Sequence, residues 1–238
     1  KESERLFMSR ADKLADFISK VKGELIVSCQ ATPQEALFGS DIMAKMAISA
    51  IRGGAKGIRA NTPGDVKAIR EALDVPIIGL YKVVFPGTPV IITATIAHAL
   101  AIAEAGADVI AIDATFRLHP EDEVPELIRK IHEQTDCLVM ADISSFEEAE
   151  AAMISGADVV STTLSGYTDY TPKLDGPDLE LVREIASRLP VPLFAEGRYH
   201  YPHEVAKALE YGATAVIVGG AVTRPKEITE RFVRALRK

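Results

Sequence analysis

After Gly23 the chain alternates between short apolar runs and longer stretches in which apolar residues recur at helical spacing. The runs are GELIVSC (23–29), KGIRA (56–60), VPIIGLY (75–81), DVIAID (108–113), CLVMAD (137–142), DVVSTT (158–163), VPLFAEG (191–197) and TAVIVGG (214–220). Most are near-continuous and rich in β-branched residues. Strands read this way when both faces are covered, as in a parallel sheet flanked by helices. Ahead of them, Leu6, Phe7, Leu14, Phe17, Ile18 and Val21 predict an amphipathic helix between Glu2 and Lys22.

The intervening helices carry their own punctuation. Ser40 or Asp41 caps a helix through Ile51, halted by Gly53-Gly54. Thr62-Pro63 opens one through Leu73, and Ser144 or Ser145 opens one through Ile154, ended by Gly156. The phrases AGAD (105–108), SGAD (155–158) and YGAT (211–214) each put a glycine at a helix C-cap just before a strand. A ninth apolar run, PVIITATI (89–96), has no room for a helix between Tyr81 and Pro89. Residues 89–93 are therefore expected to extend the third strand-to-helix loop, with its helix at 95–105. Eight βα units of ~30 residues predict an α/β fold of one domain, a (β/α)8 TIM barrel of the phosphate-binding type. Residues 1–22 would form an extra helix at its bottom and 23–238 the barrel. An open doubly wound sheet is the alternative. Its first strand normally leads into G-x-G-x-x-G, whereas here it ends in Cys29-Gln30-Ala31.

Composition narrows the partners. Lys and Arg number 27 against 34 Asp and Glu, a net charge of −7, with 6 % aromatic residues and no tryptophan. This balance argues against nucleic acid or an anionic membrane as partner. No apolar stretch reaches the ~18 residues of a membrane span. The Lys/Glu/Arg-rich start does not read as a signal peptide. The two cysteines, Cys29 and Cys137, lie in apolar runs and are expected to be buried free thiols of a cytoplasmic protein. The histidines (98, 119, 132, 200 and 203) offer no metal-ligand spacing, and His200-Tyr201-Pro202-His203 reads as a loop entering a helix. Neither a metal nor a cofactor is called for.

The chemistry gathers at the strand ends. They carry Gln30, Arg59 with Asn61, Lys82, Asp113 with Arg117, Asp142, residues 162–165, Glu196 with Arg198, and Gly219-Gly220. Barrels of this kind bind and react at that end. Singly, each residue has an ordinary explanation: a mouth lysine is usually solvated, and Asp142 could cap a helix. Together they favour a site. Gly197-Arg198 and Gly219-Gly220 follow strands seven and eight, the usual phosphate position. Glycine lets backbone N–H groups approach an oxyanion, and Arg224 could add a bidentate contact. The alternative is that these glycines only form tight turns. Lys82 and Glu196 are the candidates for proton chemistry, because burial and Arg59 would lower the pKa of a lysine. A base with a proton-exchanging acid suggests enolisation beside a carbonyl. That describes a phosphosugar isomerase, epimerase or aldolase.

At these residues the chain resembles the N-acetylmannosamine-6-phosphate 2-epimerase family. The resemblance rests on IVSCQ (26–30), IMAKMA (42–47), GIRAN (57–61), IDAT (112–115) with Arg117, MADIS (140–144), VSTTLSGYT (160–168), AEGR (195–198), and VGGA (218–221) with Thr223-Arg224-Pro225. It runs from about residue 22 to the C-terminus, and STTLSGYT with AEGR is highly specific among phosphate-binding barrels. The segment GLYKVVFPGTPV (79–90), His200-Tyr201 and the longer N-terminal extension depart from the family pattern, and none of them removes a functional position. The resemblance implies interconversion of N-acetylmannosamine 6-phosphate and N-acetylglucosamine 6-phosphate in sialic acid catabolism. It implies Lys82 and Glu196 as the catalytic pair. It also implies Gln30, Arg59, Asp142 and Arg224 as contacts to the sugar or its phosphate. The partner would be a phosphorylated amino sugar, and a homodimer is compatible with it. Two rivals stand beside this reading: a Schiff-base aldolase in which Lys82 forms an imine, and a non-catalytic phosphosugar-binding barrel.

Overall fold

In the computed structural model, which describes residues 8–237, eight parallel strands close into a barrel in sequence order, with β8 returning to β1. They are β1 (Leu25–Cys29), β2 (Gly57–Asn61), β3 (Ile77–Leu80), β4 (Val109–Asp113), β5 (Leu138–Asp142), β6 (Val159–Ser161), β7 (Leu193–Glu196) and β8 (Ala215–Val218). Every predicted strand is present. The helices on the outside are α2 (Ser40–Arg52), α3 (Pro63–Ala72), α4 (Ile96–Glu104), α5 (Val124–Gln134), α6 (Phe146–Ile154), α7 (Leu179–Arg188), α8 (Pro202–Glu210), the single turn α9 (Gly220–Thr223) and α10 (Pro225–Ala235). No described helix is long and apolar enough to cross a membrane.

The extra N-terminal helix, α1 (Arg10–Val21), closes the bottom of the barrel. Phe17 and Val21 pack with Ile26, Leu138, Val159, Phe194 and Ile217, the inward-facing residues at that end. The Phe17 and Phe194 rings stack with centroids 6.3 Å apart. Leu6 and Phe7, also expected on this helix, lie outside the described residues. Alternation along each strand separates this inner plug from the outer core. Met140 faces inward, while Val139 and Ala141 pack under the helices. This two-residue period is what later delivers polar side chains to the mouth.

Helix boundaries follow local chemistry. Thr62 accepts a hydrogen bond from the Asp65 N–H, with Pro63 in the first turn of α3. Ser145 and Glu148 form a capping box on α6. Gly106, Gly156 and Gly212 take φ of +99°, +96° and +101° where helices turn back into strands. One cap differs from expectation. Neither Ser40 nor Asp41 caps α2, because Gly39 occupies the N-cap. The Ser40 hydroxyl instead donates to Asp65 Oδ1 at 2.6 Å, joining α2 to α3.

The run at 89–96 is also more ordered than a plain loop. Ile92 bridges Lys82 in antiparallel fashion, with Val83 N–H donating to Ile91 O at 3.0 Å and Thr93 N–H to Tyr81 O at 2.9 Å. Asp113 N–H then donates to Ile92 O at 2.9 Å, so this return segment is wedged between β3 and β4 at the top of the barrel. Helix α4 begins after it, capped by Thr95.

Candidate active site

A cavity of about 410 Å3 opens at the C-terminal ends of the strands. Gln30, Lys82, Asp113, Arg117, Glu196, Gly197, Arg198, Gly219, Gly220 and Arg224 all line it. A larger hollow of about 680 Å3 lies at the opposite end beside α1, and none of the predicted residues borders it. The inward phase of the strands explains the convergence. Ile26, Ile78, Leu80, Met140 and Phe194 form the apolar plug. Lys82, Asp142 and Glu196 are the next residues outward in the same phase, and on β1 Ser28 and then Gln30 continue it.

Arg59 and Asp142, expected to contact substrate, do not border the cavity. They lie beneath its floor, with side chains 1 % and 0 % exposed. Arg59 reaches both Asp142 oxygens in a fork, Nη1 to Oδ1 at 3.0 Å and Nη2 to Oδ2 at 2.5 Å. Arg59 Nη1 also donates to Glu196 Oε2 at 2.6 Å. The Thr163 hydroxyl lies 2.7 Å from Asp142 Oδ1 and 3.0 Å from Glu196 Oε2, and its single hydrogen serves one of them at a time. Burial and the neighbouring Asp142 charge push the Glu196 pKa above the usual carboxylate range, against the pull of Arg59.

Lys82 reaches the mouth one step past β3. Its backbone N–H donates to Asn61 Oδ1 at 2.9 Å, and its ammonium donates to Gln30 Oε1 at 2.8 Å. Gln30 in turn donates to Ser28 Oγ at 2.8 Å. The side chain is exposed at the mouth of the barrel, and the surrounding walls desolvate it in part. That desolvation, followed by repulsion from Arg59, lowers its pKa to about 8. A base near neutrality and a carboxyl group held in one pose are the requirements for moving a proton at carbon. Beside them, Asp113 accepts from the Thr115 N–H and hydroxyl at 3.0 and 2.6 Å and pairs with Arg117.

At the glycine-rich end, Gly197 and Arg198 take φ of +110° and +58°. The Arg198 guanidinium does not face the cavity freely. Its Nε donates to Gly176 O at 2.8 Å and its Nη1 to Ser165 O at 2.6 Å, and it lies 5.1 Å over the Tyr167 ring. Arg198 therefore ties down the loop that follows β6. Arg224 pairs with Glu35 at 3.2 Å and with Glu227 at 2.9 Å.

Glu148 is a hub that sequence reading did not identify. It is fully buried and accepts from the Phe116 N–H at 2.9 Å, from the Ser144 N–H and hydroxyl at 2.7 Å each, and from the Tyr170 hydroxyl. It ties together the loops after β4, β5 and β6. The helix start expected at Ser144 or Ser145 placed it in a first turn but gave no sign of this burial. No group of three or more His, Cys, Asp or Glu is placed to hold a metal ion among the described residues.

Residues 43–238 match the family model described as "Putative N-acetylmannosamine-6-phosphate epimerase". A "Putative N-acetylmannosamine-6-phosphate 2-epimerase" of Caldanaerobacter subterraneus subsp. tengcongensis is 48 % identical over 225 residues, covering 94 % of this chain and 95 % of that protein. A protein of the same designation from Listeria welshimeri is 44 % identical over 223 residues, covering 92 % of this chain and 94 % of its own length. Among solved structures, the N-acetylmannosamine-6-phosphate 2-epimerase from Clostridium perfringens superposes with a TM-score of 0.89 at 42 % identity, over 92 % of this chain and 95 % of that one. Thiamine phosphate pyrophosphorylase from Pyrococcus furiosus shares the fold at a TM-score of 0.58 and 18 % identity, over 90 % of this chain and 92 % of its own.

Proposed function

The chain belongs to the N-acetylmannosamine-6-phosphate epimerase family, and from this we propose how its barrel mouth performs that reaction. The protein is a carbohydrate epimerase that interconverts N-acetylmannosamine 6-phosphate and N-acetylglucosamine 6-phosphate, a step of sialic acid catabolism. The two sugars differ only at C2, so a proton must leave that carbon and return on the opposite face. The C2 proton becomes acidic once the ring opens, because the C1 aldehyde then delocalises the negative charge.

We assign the C2 proton to Lys82. The observation that carries this assignment is the Lys82 ammonium held by Gln30 at the cavity wall with its pKa lowered to about 8. A neutral amine is then available near physiological pH. Glu196, held by Arg59 and Thr163 at the floor, moves protons to and from sugar oxygens during ring opening and enolisation. Arg59 and Asp142 act beneath it as positioning residues. The phosphate is assigned to Gly197, the backbone at Arg198, the Gly219-Gly220 turn and Arg224. Backbone N–H groups at such turns form anion-binding concavities, and Arg224 supplies charge.

The protein is assigned to the cytoplasm on its two free, buried thiols. A homodimer is supported by α10 and its C-cap, which leave Phe232 and Leu236 73 % and 84 % exposed. Incubation with N-acetylmannosamine 6-phosphate, followed by NMR, tests the whole reading, and the 2-epimer is the expected product. A lysine with a lowered pKa also suits imine formation, so borohydride is added with a ketose phosphate in parallel. Reductive inactivation there, with no epimer formed, would replace this reading by the aldolase.

A further inference from the structure

The geometry points to Glu227 as an internal stand-in for the substrate phosphate, seated on the Gly219-Gly220 turn and displaced when the phosphate arrives. This rests on the reading of the mouth as a sugar-phosphate site. Three observations place the carboxylate there. Glu227 lines the same cavity as Lys82 and Glu196. A side-chain carbon built on Gly220 would lie 2.2 Å from Glu227 Oε2 and 3.2 Å from its carboxyl carbon, so the carboxylate covers the face that this glycine leaves open. Its other oxygen pairs with Arg224 Nη1 at 2.9 Å. The turn that would receive an anion and the cation that would hold it thus meet the same carboxylate.

Glu35 gives the contrast. It binds Arg224 from the other side, Oε1 to Nε at 3.2 Å, while its second oxygen accepts from the Thr32 N–H at 2.7 Å. It does not line the cavity. Glu35 and Glu227 bring the same charge to Arg224, but only Glu227 covers the turn. Glu35 orients the guanidinium, whereas Glu227 occupies the subsite. A phosphate must displace Glu227 before it can bind, so its apparent affinity falls by the fraction of time the subsite is free. Return of the carboxylate onto Arg224 favours departure of the phosphorylated product. Glu227 thereby sets the affinity for the phosphate end and not the proton chemistry.

Titration calorimetry with inorganic phosphate, on the full chain and on Glu227→Gln, Glu35→Gln and Arg224→Ala, tests this. Glu227→Gln should bind phosphate about tenfold tighter, the gain expected if the carboxylate fills the subsite nine-tenths of the time. Glu35→Gln should bind it no tighter than the wild type, since it frees no space and loosens Arg224. Unchanged or weaker binding by Glu227→Gln would overturn the proposal. So would equal tightening in Glu35→Gln, which would reduce the effect to through-space charge. Arg224→Ala tests the underlying site separately: if it binds phosphate as well as the wild type does, the phosphate site itself is misplaced.

Discussion

Arg59 donates to Glu196 Oε2 at 2.6 Å with the same guanidinium that is forked onto Asp142, and the arginine side chain is 1 % exposed. It fixes the carboxylate that faces the cavity. Burial disfavours its charge, yet Asp142 and Glu196 keep its pKa above the ordinary value. Removing one member of such a cluster strands the others as uncompensated charges. Arg59→Met should therefore lower unfolding stability by about 3–5 kcal/mol in urea titrations. Glu196→Gln leaves the Arg59–Asp142 fork intact. It should stay within about 1 kcal/mol of wild type while losing turnover. If both variants unfolded alike, Glu196 would be part of the scaffold and not of the chemistry.

Lys82→Met should abolish epimerisation and leave sugar-phosphate binding largely in place. In the proposed mechanism lysine supplies a proton carrier needed in the transition state, while the phosphate rests on the Gly219-Gly220 turn and Arg224. A loss of roughly 10²–10⁴ in kcat is the range for one acid–base group. The same variant should also melt at a higher temperature at neutral pH. Lys82 is charged there in a setting that disfavours its charge, a cost present below its folded pKa of about 8 and relieved as pH rises towards its ordinary value. Scanning calorimetry beside a turnover assay measures both, and a variant that keeps wild-type kcat would remove Lys82 from the mechanism.

The pH profile follows from the same shift. As the proposed base, Lys82 must be neutral to accept the C2 proton, and its pKa falls from 10.5 to about 8. Below that value the ammonium dominates and kcat/KM should drop about tenfold per pH unit. Above it the rate should level off. The profile of the free enzyme should thus bend near pH 8, whereas an unperturbed lysine would still be rising there. A profile flat from roughly pH 6 to 9 would exclude this lysine as the base.

Much of this was legible in the sequence because barrel strands advertise themselves. Both-face burial makes VIAID and LVMAD near-continuous apolar runs, and Gly106, Gly156 and Gly212 mark where helices end. Lys82 and Glu196 could be found because they close apolar runs in the inward phase. Depth was not legible. Asp142 closes β5 like the cavity residues, but Arg59 lies two residues short of the end of β2, and the fork between them joins residues 83 positions apart beneath the floor. Arg198 reads as a phosphate ligand, and the fold adds that Ser165 and Gly176 claim two of its three guanidinium nitrogens. Glu148, Glu35 and Glu227 look like ordinary surface acids on or beside helices, and only the folded loops give them partners.

Arg224→Ala should raise KM for the 6-phosphate by a large factor and change little for any residual activity on the unphosphorylated sugar. The guanidinium, 35 % exposed, sits beside the glycine turn and makes no hydrogen bond to Lys82 or Gln30 among the described residues. An interaction made equally in ground and transition states is lost from KM and not from kcat. Initial rates on both sugars decide it, and equal losses on the two would argue against a phosphate role.

The proton route itself is open to isotopic test. In the proposed mechanism, once the aldehyde is exposed, the C2 proton passes to the Lys82 amine, and charge builds on O1. Glu196, held by Arg59 and Thr163, is the group placed to share a proton with that oxygen. Inversion then requires return to the opposite face, from a second group or after the intermediate turns. If the lysine ammonium exchanges with solvent before return, turnover in D2O places deuterium at C2 of the product, and NMR should show it there. This chemistry places its demand on the amine and the carboxylate, so treatment with EDTA followed by desalting should leave the rate unchanged. Activity lost on chelation and restored by a divalent ion would instead assign the O1 charge to a metal. A product free of solvent deuterium, together with full activity after EDTA, would mean a shielded single base returning the proton it took. Lys82→Met tests that case, because epimerisation is then lost with its single base.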